Sequence, residues 1–199
     1  MSKKSICLKQ WEIPGILDGS KTLIVRPVTP QPPKLENITL RPIIQGKEIQ
    51  FWGIWTTPIC DADCRYQPGD VLLGRESWDC MPPDPDSSLW GIAYAADGFQ
   101  RWIEMSPSFR PMLYSPARWR SPVTMPTEAA RIKLAVSEVR VLRVQELTEE
   151  ECMAIGIKNP ANDGYNWGRF ASQWDVDYLK CPKYEMNQWA IVAEIERMI

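Results

Sequence analysis

The sequence predicts an α+β fold dominated by strands: a small mixed β-barrel with short helices capping its openings and long proline-rich insertions laid over it. Three observations lead there. Strand-like runs outnumber helical ones, and each helical run is short and lies between two strands. The prolines are uneven, 15 of the 18 falling between Pro27 and Pro126, which assigns regular structure to both ends of the chain and loops to the middle. A length of 199 residues suits one domain with insertions, or at most two small ones. The reading adopted is a single domain over 1–199 with insertions at about 30–67 and 79–121.

Lys4 to Lys9 opens as a short strand. Glu12 to Asp18 is a helix, with Pro14 in its first turn and Gly19 just past its end. Thr22 to Val28 is the next strand. The first insertion contains Ile49 to Trp55, a hairpin strand, and ends at the turn Tyr66-Gln67-Pro68-Gly69-Asp70. That turn launches Val71 to Trp78, a mostly buried strand. Met81 to Ser88 is a proline loop and Trp90 to Trp102 a hairpin. Ile132 to Val136 alternates on one parity and Val139 to Val141 on the other, so a bulge or turn near Ser137-Glu138 must reconcile them. Thr148-Glu149-Glu150-Glu151 is a capping box opening a short helix that stops at Gly156. Trp167, Phe170, Trp174 and Tyr178 recur at helical spacing, and Trp189 to Ile195 closes the chain as a strand.

Composition excludes several function classes. The apolar content of 44% supports a sizeable core, while a net charge of −2 and a pI near 5.4 argue against wholesale capture of duplex DNA. A local basic face stays open, because 23 Lys and Arg face 25 acids placed elsewhere. The N-terminal segment has neither the apolar core nor the cleavage site of a signal peptide, and no window resembles a membrane span. Six scattered cysteines fit reduced thiols in a cytoplasm. With no histidine, a structural zinc would need four thiolates from distant places, so neither metal nor cofactor is predicted. Histidine's absence also excludes Ser-His-Asp and Cys-His catalysis, leaving Lys, Asp, Glu, Tyr or Cys for any acid–base step. Ten tryptophans belong mostly to the core and the insertions, a minority to a stacking or partner surface.

The stretch Leu17 to Pro27 carries the most chemistry: a helix end, a glycine turn, Lys21, then a strand bearing Arg26. Lys21 is either a ligand contact at the mouth of the sheet or a solvated turn lysine. Thr22 and Arg26 share one face of an extended strand, with Ile24 between them. Arg26 either binds phosphate or pairs with Glu76, the second being the reading preferred here. Arg75 and Glu76 alternate across a strand, and Trp78 reads as core before stacking platform. Arg110, Arg118, Trp119, Arg120 and Arg131 interleave guanidiniums with an indole, the pattern for phosphate contact plus base stacking; the alternative is a solvated loop with its tryptophan folded back.

Gly19-Ser20-Lys21-Thr22 with Arg26-Pro27, then Pro68-Gly69-Asp70-Val71-Leu72 with Arg75-Glu76-Ser77-Trp78, resemble the ASCH superfamily of PUA-like β-barrels, especially its prophage-encoded members. Met125-Pro126, Ala129 to Ile132, Val139 to Val141 leading to Leu147 to Glu150, Gly156-Ile157, Phe170-Ala171, Trp174-Asp175 and Asn187-Gln188-Trp189 complete the pattern. The resemblance implies RNA or nucleotide binding in a barrel cleft. Some small relatives are amidohydrolases of N4-acylated cytidine, using a lysine, a threonine three residues on and a glutamate. Those positions fall here on Lys21, Ile24 and Ile155, and arginines common in relatives fall on Val25 and Thr127. Two isoleucines supply neither nucleophile nor orienting carboxylate, so hydrolysis would need Thr22, Glu76 or tyrosines as substitutes. The expectation is a degenerate, non-catalytic binder of RNA or a nucleotide, using Lys21, Thr22, Arg26, Arg75, Glu76, Trp78, Arg118, Trp119 and Arg131. A phage-encoded protein that grips a host protein is the alternative, and a residual amidohydrolase the second alternative.

Overall fold

The computed structural model of the protein describes residues 3–33, 39–53, 58–83, 86–111, 119–157, 165–179 and 183–198. Among them the chain is mixed α+β and mostly strand. The first strand, β1 (Lys3–Cys7), leads through α1 (Glu12–Asp18) to β2 (Leu23–Pro27). The strands β3 (Arg41–Gln45), β4 (Glu48–Trp52) and β5 (Pro58–Asp63) occupy the first insertion; β6 (Val71–Arg75) follows. The second insertion holds β7 (Trp78–Pro83), β8 (Trp90–Tyr94) and β9 (Gln100–Ile103). Then come β10 (Ile132–Arg143), α2 (Glu149–Ala154), α3 (Asn166–Asp177) and β11 (Trp189–Arg197).

Five strands form the principal sheet in the order β1-β6-β10-β11-β2, with β1 parallel to β6 and the other neighbours antiparallel. Among the described residues no ladder joins β1 to β2, so the sheet is open where the sequence predicted a barrel. Its apolar face shares a core with α1, through Ile13 and Ile16, and with Ile49 and Phe51 of β4. The predicted irregularity in β10 is present: its register against β11 skips from Val136 to Glu138. The Pro68-Gly69 turn grips that break, with Gly69 N–H donating to the Val136 carbonyl and Val136 N–H to that of Asp70.

The insertions are not loops laid over a scaffold. Each contains a three-stranded antiparallel sheet, β3-β4-β5 and β7-β8-β9. Their prolines misled because proline is tolerated on edge strands and at strand ends. Pro42 sits on edge strand β3, Pro58 begins edge strand β5, and Pro83 ends β7. The predicted strand over 71–78 likewise divides: β6 stops at Arg75, and the chain turns at Glu76-Ser77 into the separate sheet begun by Trp78. Residues 54 and 55 of the predicted hairpin strand lie outside the described set.

Strand β11 is covered on both faces, as its nearly unbroken apolar run requires. Trp189, Ile191, Ala193 and Ile195 join the main core with Ile24, Leu72 and Leu134; Ala190 and Val192 join a second core under α2 and α3 with Leu23, Val25, Ile155, Phe170 and Trp174. Strand β2 alternates between the same two cores, which decides where the candidate site residues point.

Gly74 lets β6 lie close to its neighbours. A Cβ there would come within 2.7 Å of Leu8 Cδ1 and 2.9 Å of Ile132 Cβ. Gly74→Ala is expected to lower unfolding free energy by about 1–3 kcal/mol through overpacking; a urea midpoint equal to that of the unmodified protein would contradict this packing.

No helix among the described residues is long and apolar enough to cross a membrane.

Candidate functional site

Lys21 is neither a mouth contact nor a solvated turn residue. Its side chain is completely buried, and its ammonium group has three acceptors: the Leu23 and Ile155 carbonyls, both at 2.7 Å, and Glu12 Oε1 at 3.3 Å. An ammonium group donates three hydrogen bonds, so this one is saturated. It lies 5.1 Å from the centre of the Trp11 ring. Local structure brings it there. Gly19, at φ 81°, ends α1 and turns the chain back, and Lys21 N–H donates to the Gly15 carbonyl. The end of α2 approaches from the other side at Gly156, where φ is +82° and a Cβ would sit 2.9 Å from Lys21 Cβ. Only glycine suits both constraints.

Glu12 is the organising anion of this cluster, and the sequence reading missed it. Its carboxylate takes both terminal nitrogens of Arg26, at 3.0 and 2.7 Å, together with the Lys9 amide and the Lys21 contact. Arg26 therefore pairs with Glu12 and not, as expected, with Glu76. The fork-to-carboxylate geometry was foreseen; the partner was not, because Glu12 figured only as the start of the first helix. Two cations five residues apart, Lys21 and Arg26, on buried backbone required an acid nearby, which was the available signal. Burial by itself would raise the Glu12 carboxyl, but Arg26 and Lys21 hold it down at about 2. Burial pushes Lys21 down to about 8 despite the neighbouring carboxylate, and it would fall further without it.

Lys21 and its partners are tightly packed. The space among Trp11, Glu12, Arg26, Ile155, Trp174 and Tyr178 is about 10 Å³, roughly one water and far below any acylated nucleoside. Ile24 faces the main core, whereas Ile155 belongs to the core under α3, so these isoleucines do not flank one pocket. Thr22 is exposed and anchored through its backbone to Ala154 and Ile195. Glu76 is engaged elsewhere. The proposed substitution of Thr22 and Glu76 for the missing hydroxyl and acid finds no counterpart among the groups touching Lys21.

Glu76 and Arg131 form a structural lock. Both Glu76 oxygens accept from Arg131, at 2.8 and 2.9 Å, and the other side of the guanidinium holds Asp97 at 2.7 and 2.9 Å. The guanidinium also stacks 4.2 Å over Tyr94, whose hydroxyl donates to the Ala129 carbonyl and accepts from Arg101 Nε. With every fork taken by an acid, Arg131 offers nothing to phosphate. Arg75 is half-buried and donates to the Val123 carbonyl.

The open, chemically furnished site lies elsewhere. A cleft of about 1020 Å³ runs between the β7 sheet and the segments flanking 112–118. Trp78 forms part of its wall, 2% exposed, with Nε1 donating to Thr124 Oγ1; as predicted, it is core before platform. Trp119, half exposed, supplies an accessible ring, and the partly buried Phe109 lines the cleft edge-on to Trp90. Arg110 lines the cleft, tied to the Pro107 and Phe109 carbonyls, and Arg120 lies 5.5 Å over Trp78 with its Nε on Asp79. Arg118, the remaining member of the predicted basic–aromatic group, lies outside the described residues. A second cleft, of about 670 Å³, presents Lys4, Arg26, Lys47 and Arg65 against Asp63, beside Tyr66 and Tyr178. The sequence reading did not gather those cations, because they come from four separate elements.

Among the described residues no group of acids and cysteines is placed to hold a metal ion. Comparison with protein-family models, curated proteins and solved structures returned no match.

Proposed function

We propose that this protein is a non-catalytic, ASCH-like binder of single-stranded RNA or a nucleotide, of phage or prophage type, which uses the arginine–tryptophan cleft and not the Lys21 position. The PUA-like assignment rests on the sequence motifs, with the five-stranded sheet as an unclosed version of that scaffold. One observation carries the binding reading: a cleft of about 1020 Å³ combines an exposed indole with two guanidiniums. A base stacks on Trp119 while Arg110 meets the phosphate, a pairing that tolerates any sequence because every base has a π-face. The net charge of −2 disfavours long-range capture of duplex. The enclosed ammonium group of Lys21, its three donors taken by the Leu23 and Ile155 carbonyls and Glu12, supports the reading without turnover.

Anisotropy of a fluorescent single-stranded RNA, titrated at low and high salt, tests this. Trp119→Ala is expected to weaken binding by about 5- to 150-fold, the effect of one lost stack. Arg110→Ala should flatten the log–log salt slope by about 0.7, the release of one counterion from a single strand. Lys21→Met should leave affinity unchanged. Binding weaker than about 100 μM in the unmodified protein, or indifference to Trp119→Ala, would defeat the proposal.

A further inference from the structure

The start of α3 carries a surface that the RNA reading does not use. Tyr165 and Trp167 are 52% and 46% exposed, and their rings meet at 4.9 Å and 59°. Exposed aromatic side chains usually adapt to their surroundings, but this pair is held in place. The Tyr165 ring lies directly over Gly168, so closely that a Cβ there would fall 2.1 Å from Tyr165 Cε1. Glu149, projecting from α2, fixes the adjoining backbone, its two oxygens accepting from the amides of Asn166 and Trp167 at 2.5 and 3.2 Å. The rings form one wall of a groove of about 830 Å³ bounded by α3 and the 184–186 turn. Every charged residue lining it is an acid: Glu149, Asp175 and Glu185. Asp175 is positioned by the Tyr184 amide at 2.7 Å, and Glu185 is exposed.

We infer that this groove docks an arginine-bearing basic segment of a protein partner. A guanidinium is planar and weakly hydrated, so it stacks on Trp167 or Tyr165 while its fork reaches the carboxylates below. The angled ring pair suits that flat cation, and the volume accommodates several side chains of a peptide. A nucleic acid is repelled by the same acids. This surface is separate from the Trp119 cleft, so either can fail without the other.

The test is a dye-labelled peptide of nine arginines titrated against the intact protein by anisotropy, with a nine-glutamate peptide as control. Binding of the basic peptide alone is expected, weakened at least tenfold by Trp167→Ala and by Glu185→Lys. Glu196→Lys, an equal charge change at the exposed end of β11, should leave it within twofold. Each variant's melting temperature shows that the fold survives, and the single-stranded RNA titration should be unmoved by Trp167→Ala. Equal weakening by Glu196→Lys and Glu185→Lys would mean only general charge attraction and would overturn the inference. So would indifference to Trp167→Ala, binding of the acidic peptide, or a concentration-dependent dimer in light scattering that Trp167→Ala abolishes, since the groove would then belong to a second copy of the chain.

Discussion

Glu12→Gln is expected to lower the free energy of unfolding by about 3–5 kcal/mol, the cost of removing one partner from a buried ionic group. The carboxylate is fully buried and faces the fork of Arg26 and the ammonium of Lys21. An amide in its place turns an N–H₂ toward the Arg26 and Lys21 donors and removes the carboxylate that both cations contact. Lys21→Met should cost less, under about 2 kcal/mol, since Glu12 keeps its bidentate arginine and only the Leu23 and Ile155 carbonyls lose a donor. Denaturant unfolding of the two variants separates organiser from passenger; equal losses would refute the ranking.

The same cluster sets a pH signature. The Glu12 carboxyl is held at about 2 in the folded chain against 4.5 when free. Its stabilisation is therefore present above about pH 4.5 and is lost as pH falls toward 2, an amount on the order of 3 kcal/mol. Lys21 is depressed to about 8 from 10.5, so the folded state binds that proton more weakly than the unfolded chain. Stability should consequently rise as pH climbs from about 8 to 10.5. Glu12→Gln removes the acid-side slope, and Lys21→Met the alkaline one.

Arg131→Gln should be comparably severe, again about 3–5 kcal/mol, because Glu76 has a side chain only 2% exposed and both its oxygens rest on that guanidinium. The stack on Tyr94 disappears with it, loosening the β8–β9 hairpin from β10. Asp97 is 37% exposed and rehydrates readily, so Asp97→Ala should cost less than about 1 kcal/mol. Adding Glu76→Gln to Arg131→Gln should recover a large part of the loss, since no buried charge is then left alone. Additive losses in that double variant would show that the ion pair is not what joins hairpin and sheet.

Much of the fold was legible because it rests on local rules. The α1 stop at Gly19, the capping box in which Thr148 and Glu151 bond each other's backbone, the aromatic spacing of α3 and the parity break in β10 are all written within a few consecutive residues. The basic–aromatic cleft was partly legible for the same reason, Trp119 and Arg120 being adjacent and Arg110 near in sequence. Proline density was read too simply, because it cannot separate a loop from a small sheet whose prolines occupy its margins.

What the sequence determined by itself was the strand-rich class, most element positions and the types of side chain that would meet: arginine forks with carboxylates, indoles with cations. Which arginine met which acid was decided only in three dimensions. Glu12, Lys21 and Arg26 converge because α1 folds back against β2, and Glu76 goes to Arg131 because the chain leaves the main sheet after Arg75. The physical reason is reach: hydrogen bonding and hydrophobic periodicity act over a turn or a strand pair, while charge pairing in a dry interior depends on which distant elements the core draws together. That same packing encloses Lys21, which the sequence alone placed at the mouth of a sheet or on a solvated turn.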